Sequence, residues 1–326
     1  MLVLVTGGAG YIGSHVVRAL LERGHEPVVL DSLISGRRAA VGPARLIVGD
    51  VGDAALLGRL FSDQTYDAVL HFAALKSVED SVRDPIRYFE HNVARTITLL
   101  GAMDRAGVPR FVYSSSAAVY GAPEVLPVTE LAPMHPLNPY GESKRLVEVM
   151  LAWAHRRGLF QYAALRYFNA AGADEDGSIG EDWSQATNLI PLVLRAALRR
   201  GPPVRIFGDD YSTPDGTALR DYVHVTDLAT AHVLALDALS EAEAPLVLNL
   251  GTEQAASVLE VIDMTRRISG LDVPAERAGR RPGDMPAIWA DASLARERLG
   301  WQAERTLEDI IRTAWRWHAS NAGDSV

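Results

Sequence analysis

Short apolar runs rich in valine, isoleucine and leucine recur through the first half of the chain: LVLV at 2–5, PVVLD at 27–31, RLIVGD at 45–50, DAVLHFAA at 67–74, RFVYSSS at 110–116 and YAALRYFN at 162–169. Stretches of helical period lie between several of them. Val17, Leu20 and Leu21 run to Gly24, Ile97, Leu100 and Met103 run towards Gly107, and Leu146, Val149, Met150 and Trp153 run to Gly158. Unbroken apolar strands alternating with amphipathic helices predict a parallel sheet covered on both faces. The expected fold is therefore α/β, a Rossmann-type doubly wound sheet over residues 1–169. A smaller C-terminal α/β domain is expected over 170–326, where the texture turns to glycine-, proline- and acid-rich segments such as GADEDGSIGEDW and FGDDYSTPDGT. Helical stretches near 189–200 and 226–239 interrupt it, and the run at 246–250 reads as a strand returning to the main sheet.

Composition narrows the chemistry. The 326 residues are 48% hydrophobic and 22% charged, with a formal net charge of -9 and no basic tail, which argues against nucleic acid or an anionic membrane surface as partner. No cysteine is present, so disulfides, thiolate catalysis and cysteine-ligated metals are excluded. The nine histidines form no H-x-x-x-H or H-x-H pair, and no metal site is expected. The opening MLVLVTGG has five apolar residues and no basic flank, too little for a secretory leader, and no later run reaches spanning length; a cytoplasmic location is expected.

The segment VLVTGGAGYIGSH follows the first strand and opens the first helix, placing Gly7, Gly10 and Gly13 in a G-x-x-G-x-x-G spacing that Gly8 also turns into G-x-G-x-x-G. Such glycines let backbone N–H groups approach a pyrophosphate at the positive end of a helix. Asp31 ends the second strand eighteen residues beyond Gly13, where a carboxylate can take the ribose hydroxyls of NAD and would repel the 2′-phosphate of NADP. Arg37 and Arg38 nearby keep NADP open, and a tight strand-to-helix turn without ligand is the plainer alternative.

Further on, NPYGESK sets Tyr140 four residues before Lys144, behind a capping Asn138 and a Pro139 suited to the first helical turn. On a helix the two share a face. The pair could equally be a tyrosine at a core edge beside a solvated lysine. A free phenol titrates near pH 10, about three units too high for a base at neutral pH, and a neighbouring ammonium and a cationic nicotinamide would both bring it down. The serines of SSSAAVYG, 114–121, would emerge at the same sheet edge. His71 and His224 read as satisfied core or edge groups.

In this order, the glycine turn, the serine run and Tyr140-x-x-x-Lys144 resemble the extended short-chain dehydrogenase/reductase family, and within it the branch that inverts C4 of UDP-hexoses. The blocks HFAALKSVEDS, LRYFNAAG, NLIP, IFGDDYSTPDGTALRDYVHV and RRPGDMPAIWAD extend the likeness over nearly the whole chain. The resemblance implies NAD-dependent interconversion of UDP-galactose and UDP-glucose through a 4-keto sugar, with NAD regenerated in each cycle. It gives Tyr140 the role of base, Ser116 that of the hydrogen-bond partner of the sugar O4, with Ser114 or Ser115 as alternatives, and Lys144 the grip on the nicotinamide ribose. Cofactor positions fall on Gly7, Gly10, Tyr11, Ile12, Gly13, Asp31, Ser32, Asp50, Val51, Phe72, Ala73, Ala74, Lys76, Asn92, Ser114, Tyr140, Lys144 and Phe168; Ser32 departs from the asparagine the family often carries. The UDP-sugar positions fall on Ser116, Tyr140, Asn169, Asn188, Leu189, Arg205, Ile206, Phe207, Arg220, Arg281, Asp284 and Ile288, with Arg220 and Arg281 as diphosphate clamps. A homodimer through two helices of the first domain also follows from the resemblance.

Three other readings stay open. A sugar-nucleotide dehydratase would need an acid and a base just after the strand serines, where this chain has Ala117 and Ala118. A non-catalytic NAD-binding regulator could dispense with Tyr140 and Lys144. Ile288 takes a family position beside the sugar's C2 substituent and is intermediate in size, so turnover of UDP-N-acetylhexosamines is an alternative to the preferred UDP-glucose and UDP-galactose.

Overall fold

The computed structural model describes residues 1–182, 186–281 and 284–320. Its apolar runs form strands whose side chains are buried on both faces: Val3, Leu4 and Val5 in β1 (Leu2–Thr6), Val29 and Leu30 in β2 (Glu26–Asp31), and all four residues of β4 (Ala68–His71), with β3 (Arg45–Val48) at the margin. β5 (Arg110–Ser114) and β6 (Gln161–Tyr167) complete the first half. Between strands run α1 (Tyr11–Glu22), α2 (Ala54–Asp63), α3 (Val78–Arg83), α4 (Pro85–Phe89), α5 (Arg95–Ala106) and α6 (Pro139–Arg156), with a π-turn at Glu90–Ala94 joining α4 to α5. Local signals end these helices: Gly24 and Gly107 take positive φ just past α1 and α5. Asn138 accepts from the Gly141 N–H at 2.9 Å, with Pro139 in the first turn of α6.

Beyond β6 come β7 (Asn169–Ala171), α7 (Leu189–Ala197), β8 (Val204–Phe207), β9 (Leu219–His224), α8 (Val225–Ala238) and β10 (Leu246–Leu250). β10 pairs in parallel with β6, giving a seven-stranded sheet of order 10-6-5-4-1-2-3. α8, reached by way of β9, packs on α1 and joins the core beneath the sheet through Leu228 and Leu236, with Trp301 in the same core. β9 lies at the centre of a smaller sheet with β7, β11 (Ala255–Ser257) and β13 (Ala287–Ile288), while β8 pairs with β12 (Ala275–Ala278). α7, α9 (Val258–Ser269) and α11 (Leu307–Ser320) pack around that second core, while α10 (Ser293–Leu299) packs on β10 and α8.

Two helical stripes differ from the sequence expectation. In α5, Leu99 and Met103 are buried while Ile97 is 53% exposed. In α6 the buried positions are Ser143, Lys144, Val147, Glu148 and Leu151; Leu146, Val149 and Met150 are only partly covered and Trp153 is 64% exposed. The face that packs inward on α6 carries two ionisable groups, so an apolar pattern alone selects the neighbouring face.

Candidate active site

Strand order reverses between β1 and β4, and the crevice there opens into a cleft of about 820 Å³ at the C-terminal edge of the sheet. Gly7 leaves β1 with φ +73°, and a Cβ there would lie 2.5 Å from the Ala73 nitrogen. At Gly13 a Cβ would lie 2.2 Å from the Gly7 oxygen, so both glycines are needed for α1 to sit directly on the turn. Gly10, Tyr11 and Ile12 line the cleft, and the N-terminus of α1 carries no side-chain cap. Uncapped N–H groups at the positive end of a helix, facing a cleft, suit the pyrophosphate of a dinucleotide. Asp31 is buried at the end of β2, where its carboxylate accepts from the Ala9 N–H at 2.9 Å and the Leu33 N–H at 2.8 Å. Its remaining lone pairs border the cleft beside Ser32, as the ribose diol of NAD requires.

Asp50, Val51, Phe72, Ala73, Ala74, Lys76, Ser114 and Phe168 also line this cleft. Asp50 pairs with Arg95 and accepts from the Gly52 N–H at 2.7 Å. Asn92 stands behind the wall instead: its amide bonds both backbone groups of Leu75, at 2.8 and 3.0 Å, and the Ser143 hydroxyl at 3.0 Å, so it braces the loop after β4. Lys76 reaches across the cleft to Glu181 at 2.7 Å, and the Tyr11 hydroxyl donates to the Gly172 carbonyl at 2.6 Å. His71 is held by Thr6 at 2.6 Å and Thr96 at 3.0 Å, and burial pushes its pKa down to about 3. His224, bonded to Thr313 at 3.0 Å, is likewise pushed down to about 3 by burial. Both are neutral core groups.

At the mouth of β5 the three serines diverge. Ser114 bonds the Tyr167 hydroxyl, and Ser115 donates to Glu148 at 2.5 Å in the interior. Ser116, capping the short turn Ala117–Val119, lines the cleft together with the phenol of Tyr140 and favours its ionised form. Lys144, one turn along α6, is 3% exposed; its ammonium donates to the Ser114 carbonyl at 2.7 Å and lies 5.0 and 5.9 Å from the ring centres of Tyr113 and Tyr140. Burial pushes the Lys144 pKa down to about 7, Glu148 acting against it. The phenol of Tyr140 is raised, chiefly by burial and despite the Ser116 hydrogen bond. The expectation is that the ammonium and a cationic nicotinamide together bring the phenol down; among the protein's own groups desolvation dominates and the direction is upward.

Among the expected sugar-nucleotide positions, Asn169, Asn188, Arg220, Asp284 and Ile288 line the cleft. Arg220 donates to Asp284 at 2.6 Å and to the Met285 carbonyl at 2.9 Å, holding that segment in place. Leu189, Arg205, Ile206, Phe207 and Arg281 do not reach the cleft wall. Ile206 is core, while Arg205 and Arg281 stack on Phe207 with their guanidinium carbons 4.9 and 3.7 Å from the ring centre. Alternation along β8 explains the split, since Ile206 points inward and its neighbours outward. Pro282 and Gly283, within the RRPGDMPAIWAD block, lie outside the described residues.

Sequence reasoning passed over Glu148, Arg166 and Glu181. One signal was available: lysine occurs only at 76 and 144, so thirty of the 32 lysine-plus-arginine residues are arginine. Both lysines line this cleft. A compact, titratable ammonium is kept where arginine cannot replace it.

Residues 3–251 match the NAD dependent epimerase/dehydratase family. A UDP-glucose 4-epimerase of Azospirillum brasilense is 50% identical over 320 residues, covering 98% of this chain and 92% of that one. Another, from Lactobacillus helveticus, is 47% identical over 323 residues with 98% of each chain covered. Among solved structures, a UDP-glucose-4-epimerase of Stenotrophomonas maltophila with bound NAD and formylated UDP-arabinopyranose superposes with a TM-score of 0.97 at 43% identity, covering 100% of each chain. The Bifidobacterium longum UDP-glucose 4-epimerase in complex with NAD+ and UDP gives 0.95 at 40% identity, also covering 100% of each chain.

Proposed function

The chain belongs to the NAD dependent epimerase/dehydratase family, and from that premise we propose that it interconverts UDP-galactose and UDP-glucose by inverting C4 of the hexose. The observation that carries this is Tyr140, beside Ser116 and one turn from a buried Lys144, at the cleft where the sheet changes direction. NAD, the cofactor, supplies reversible oxidation of the C4 alcohol, with the 4-keto sugar between the two halves of the reaction. The glycine turn and the α1 N-terminus hold its pyrophosphate, Asp31 the adenosine ribose, Asp50 and Val51 the adenine end, and Lys144 the nicotinamide ribose. Tyr140 takes the proton from the sugar O4 and returns it, with Ser116 orienting that hydrogen bond. Arg220 offers the diphosphate a guanidinium that Asp284 and the Met285 carbonyl keep aimed.

Ala117 and Ala118 line the cleft where a dehydratase needs its extra acid and base, which favours inversion over water elimination. Ile288 is 7% exposed in the wall beside Phe168; its bulk favours UDP-glucose and UDP-galactose over their N-acetylated counterparts. A homodimer is part of the same proposal, supported by the exposed apolar side chains of Ile97 on α5 and Trp153 on α6. So is a cytoplasmic location, where nucleotide sugars and NAD are found. No helix among the described residues is long and apolar enough to cross a membrane.

The test is chromatographic assay of UDP-galactose with purified protein and no added cofactor, beside Tyr140→Phe. Wild-type conversion is expected, with kcat reduced about 10²- to 10⁴-fold in the variant and KM little changed. Equal rates would remove Tyr140 from the chemistry, and a higher kcat/KM for the N-acetylated pair would reverse the substrate order.

A further inference from the structure

The strongest unexplained arrangement is a buried ion pair directly behind the cleft. Glu148 and Arg166 are each 5% exposed, with Arg166 Nη2 at 2.5 Å from Glu148 Oε2 and Nε at 3.0 and 3.1 Å from the two carboxylate oxygens. Arg166 also donates to the Tyr120 hydroxyl at 2.9 Å, and Tyr120 to Asn249 on β10 at 2.6 Å. The pair thus ties α6 to β6 and, through Tyr120 and Asn249, to β10. Burying such a pair costs about as much desolvation energy as the attraction returns, and an apolar pair of similar volume often serves stability as well or better. Stability alone does not account for it.

Its position does. Glu148 follows Lys144 by one helical turn, on the inward face of α6. It also takes the hydroxyl of Ser115, which stands between Ser114, whose carbonyl receives the Lys144 ammonium, and Ser116, which lines the cleft with Tyr140. Other groups facing Lys144 are Tyr113 on β5, Tyr140 on its own helix and the neutral His71 on β4. Tyr88 of α4 and Tyr167 of β6 interact electrostatically with Tyr140. Among the described residues, Glu148 is the carboxylate that acts on the lysine.

We propose that Glu148 is a positioning residue: anchored by Arg166, its carboxylate is the counter-charge of the Lys144 ammonium and the tether that holds Ser115, and with it the flanking serines, against α6. This rests on the assignment of Tyr140 and Lys144 to the chemistry. Arg166 holds the carboxylate in place, so that it acts on Lys144 without pairing directly with it. Burial of the ammonium favours its neutral form, and the negative charge opposes this. A lysine that loses its proton loses both its grip as a cation and its influence on the phenol.

The two-lysine composition makes the test direct. Protein labelled with 13C at lysine Cε gives two side-chain signals, and Lys76→Arg assigns them. In the nucleotide-loaded protein, Glu148→Gln, which keeps the shape and loses the charge, is expected to lower the Lys144 midpoint by about one pH unit or more. The alkaline fall of kcat moves with it, and Glu148→Asp lies in between. A purely structural role would lower the melting temperature but leave the midpoint in place, and that result overturns the proposal. If Glu148→Gln does not fold, Glu148→Asp must still lower the midpoint, because its carboxylate is drawn back by one methylene; an unchanged value is equally decisive. Failure of the wild type to epimerise UDP-galactose would overturn the functional reading instead, while the Lys144 titration still decides this one.

Discussion

Replacing Lys144 with methionine should stabilise the nucleotide-free protein while abolishing most of its activity, and the gain should depend on pH in a fixed direction. Burial brings the Lys144 pKa from 10.5 to about 7. At about 1.4 kcal/mol per pH unit, holding the ammonium in place costs the fold roughly 5 kcal/mol at pH 6. Against this, the Lys144→Met chain leaves the Ser114 carbonyl without its donor, a loss of about 1–3 kcal/mol, so the net gain at pH 6 is about 2–4 kcal/mol. The folded-state pKa is the depressed one, so the unfolded chain holds the proton more tightly between pH 7 and 10.5 and wild-type stability rises with pH there. From pH 7 to 9 that recovers roughly 3 kcal/mol for the wild type and nothing for the variant. The two should therefore have nearly equal stability at pH 9. Urea unfolding of both proteins at pH 6 and pH 9 reads the difference, and a gap that stays constant within about 0.5 kcal/mol would refute the burial argument. The activity loss is the other half of the prediction, a site that sacrifices stability for function.

Gly13→Ala places a Cβ 2.2 Å from the Gly7 oxygen; it should cost about 1–3 kcal/mol and weaken NAD binding about tenfold or more, read by thermal melting and nucleotide titration. Wild-type affinity would show that the turn tolerates displacement of α1. The double substitution Ile97→Glu, Trp153→Glu should convert the proposed dimer to monomer in sedimentation experiments while leaving secondary structure unchanged, and dimerisation as tight as wild type with both changes would place the interface elsewhere.

What the sequence revealed and what it hid follow from the range of the forces involved. The glycine turn and Asp31 were legible because strand, turn and helix N-terminus are contiguous, and steric limits at Gly7 and Gly13 act within a few residues. The sheet itself was legible because β1, β4 and β6 are buried on both faces and read as unbroken apolar runs. The inward face of α6 was not. Lys144 and Glu148 are buried there because partners at β5 and β6 satisfy them, and those partners lie up to 33 residues away in Ser114, Ser115 and Arg166. An apolar pattern cannot register a charge that is buried because another charge meets it, so Leu146, Val149 and Trp153 drew the eye instead. The same limit applies to the phenol: spacing showed the lysine near Tyr140, but the desolvation that raises its pKa depends on the closed walls of the cleft. Arg205 and Arg281 could be placed near the substrate by resemblance; their stacking on Phe207 is a tertiary fact.

β10 sets a schedule for synthesis. The last strand of the main sheet is encoded at Leu246–Leu250, far downstream of β6, the neighbour it covers. While the ribosome is still making the intervening segments, β6 presents an open edge along a run with six consecutive buried residues, Tyr162 to Tyr167. A nascent chain halted before residue 246 would keep that edge unpaired, a template for aggregation and a mark for degradation, so the sheet is made safe only when translation has passed Leu250.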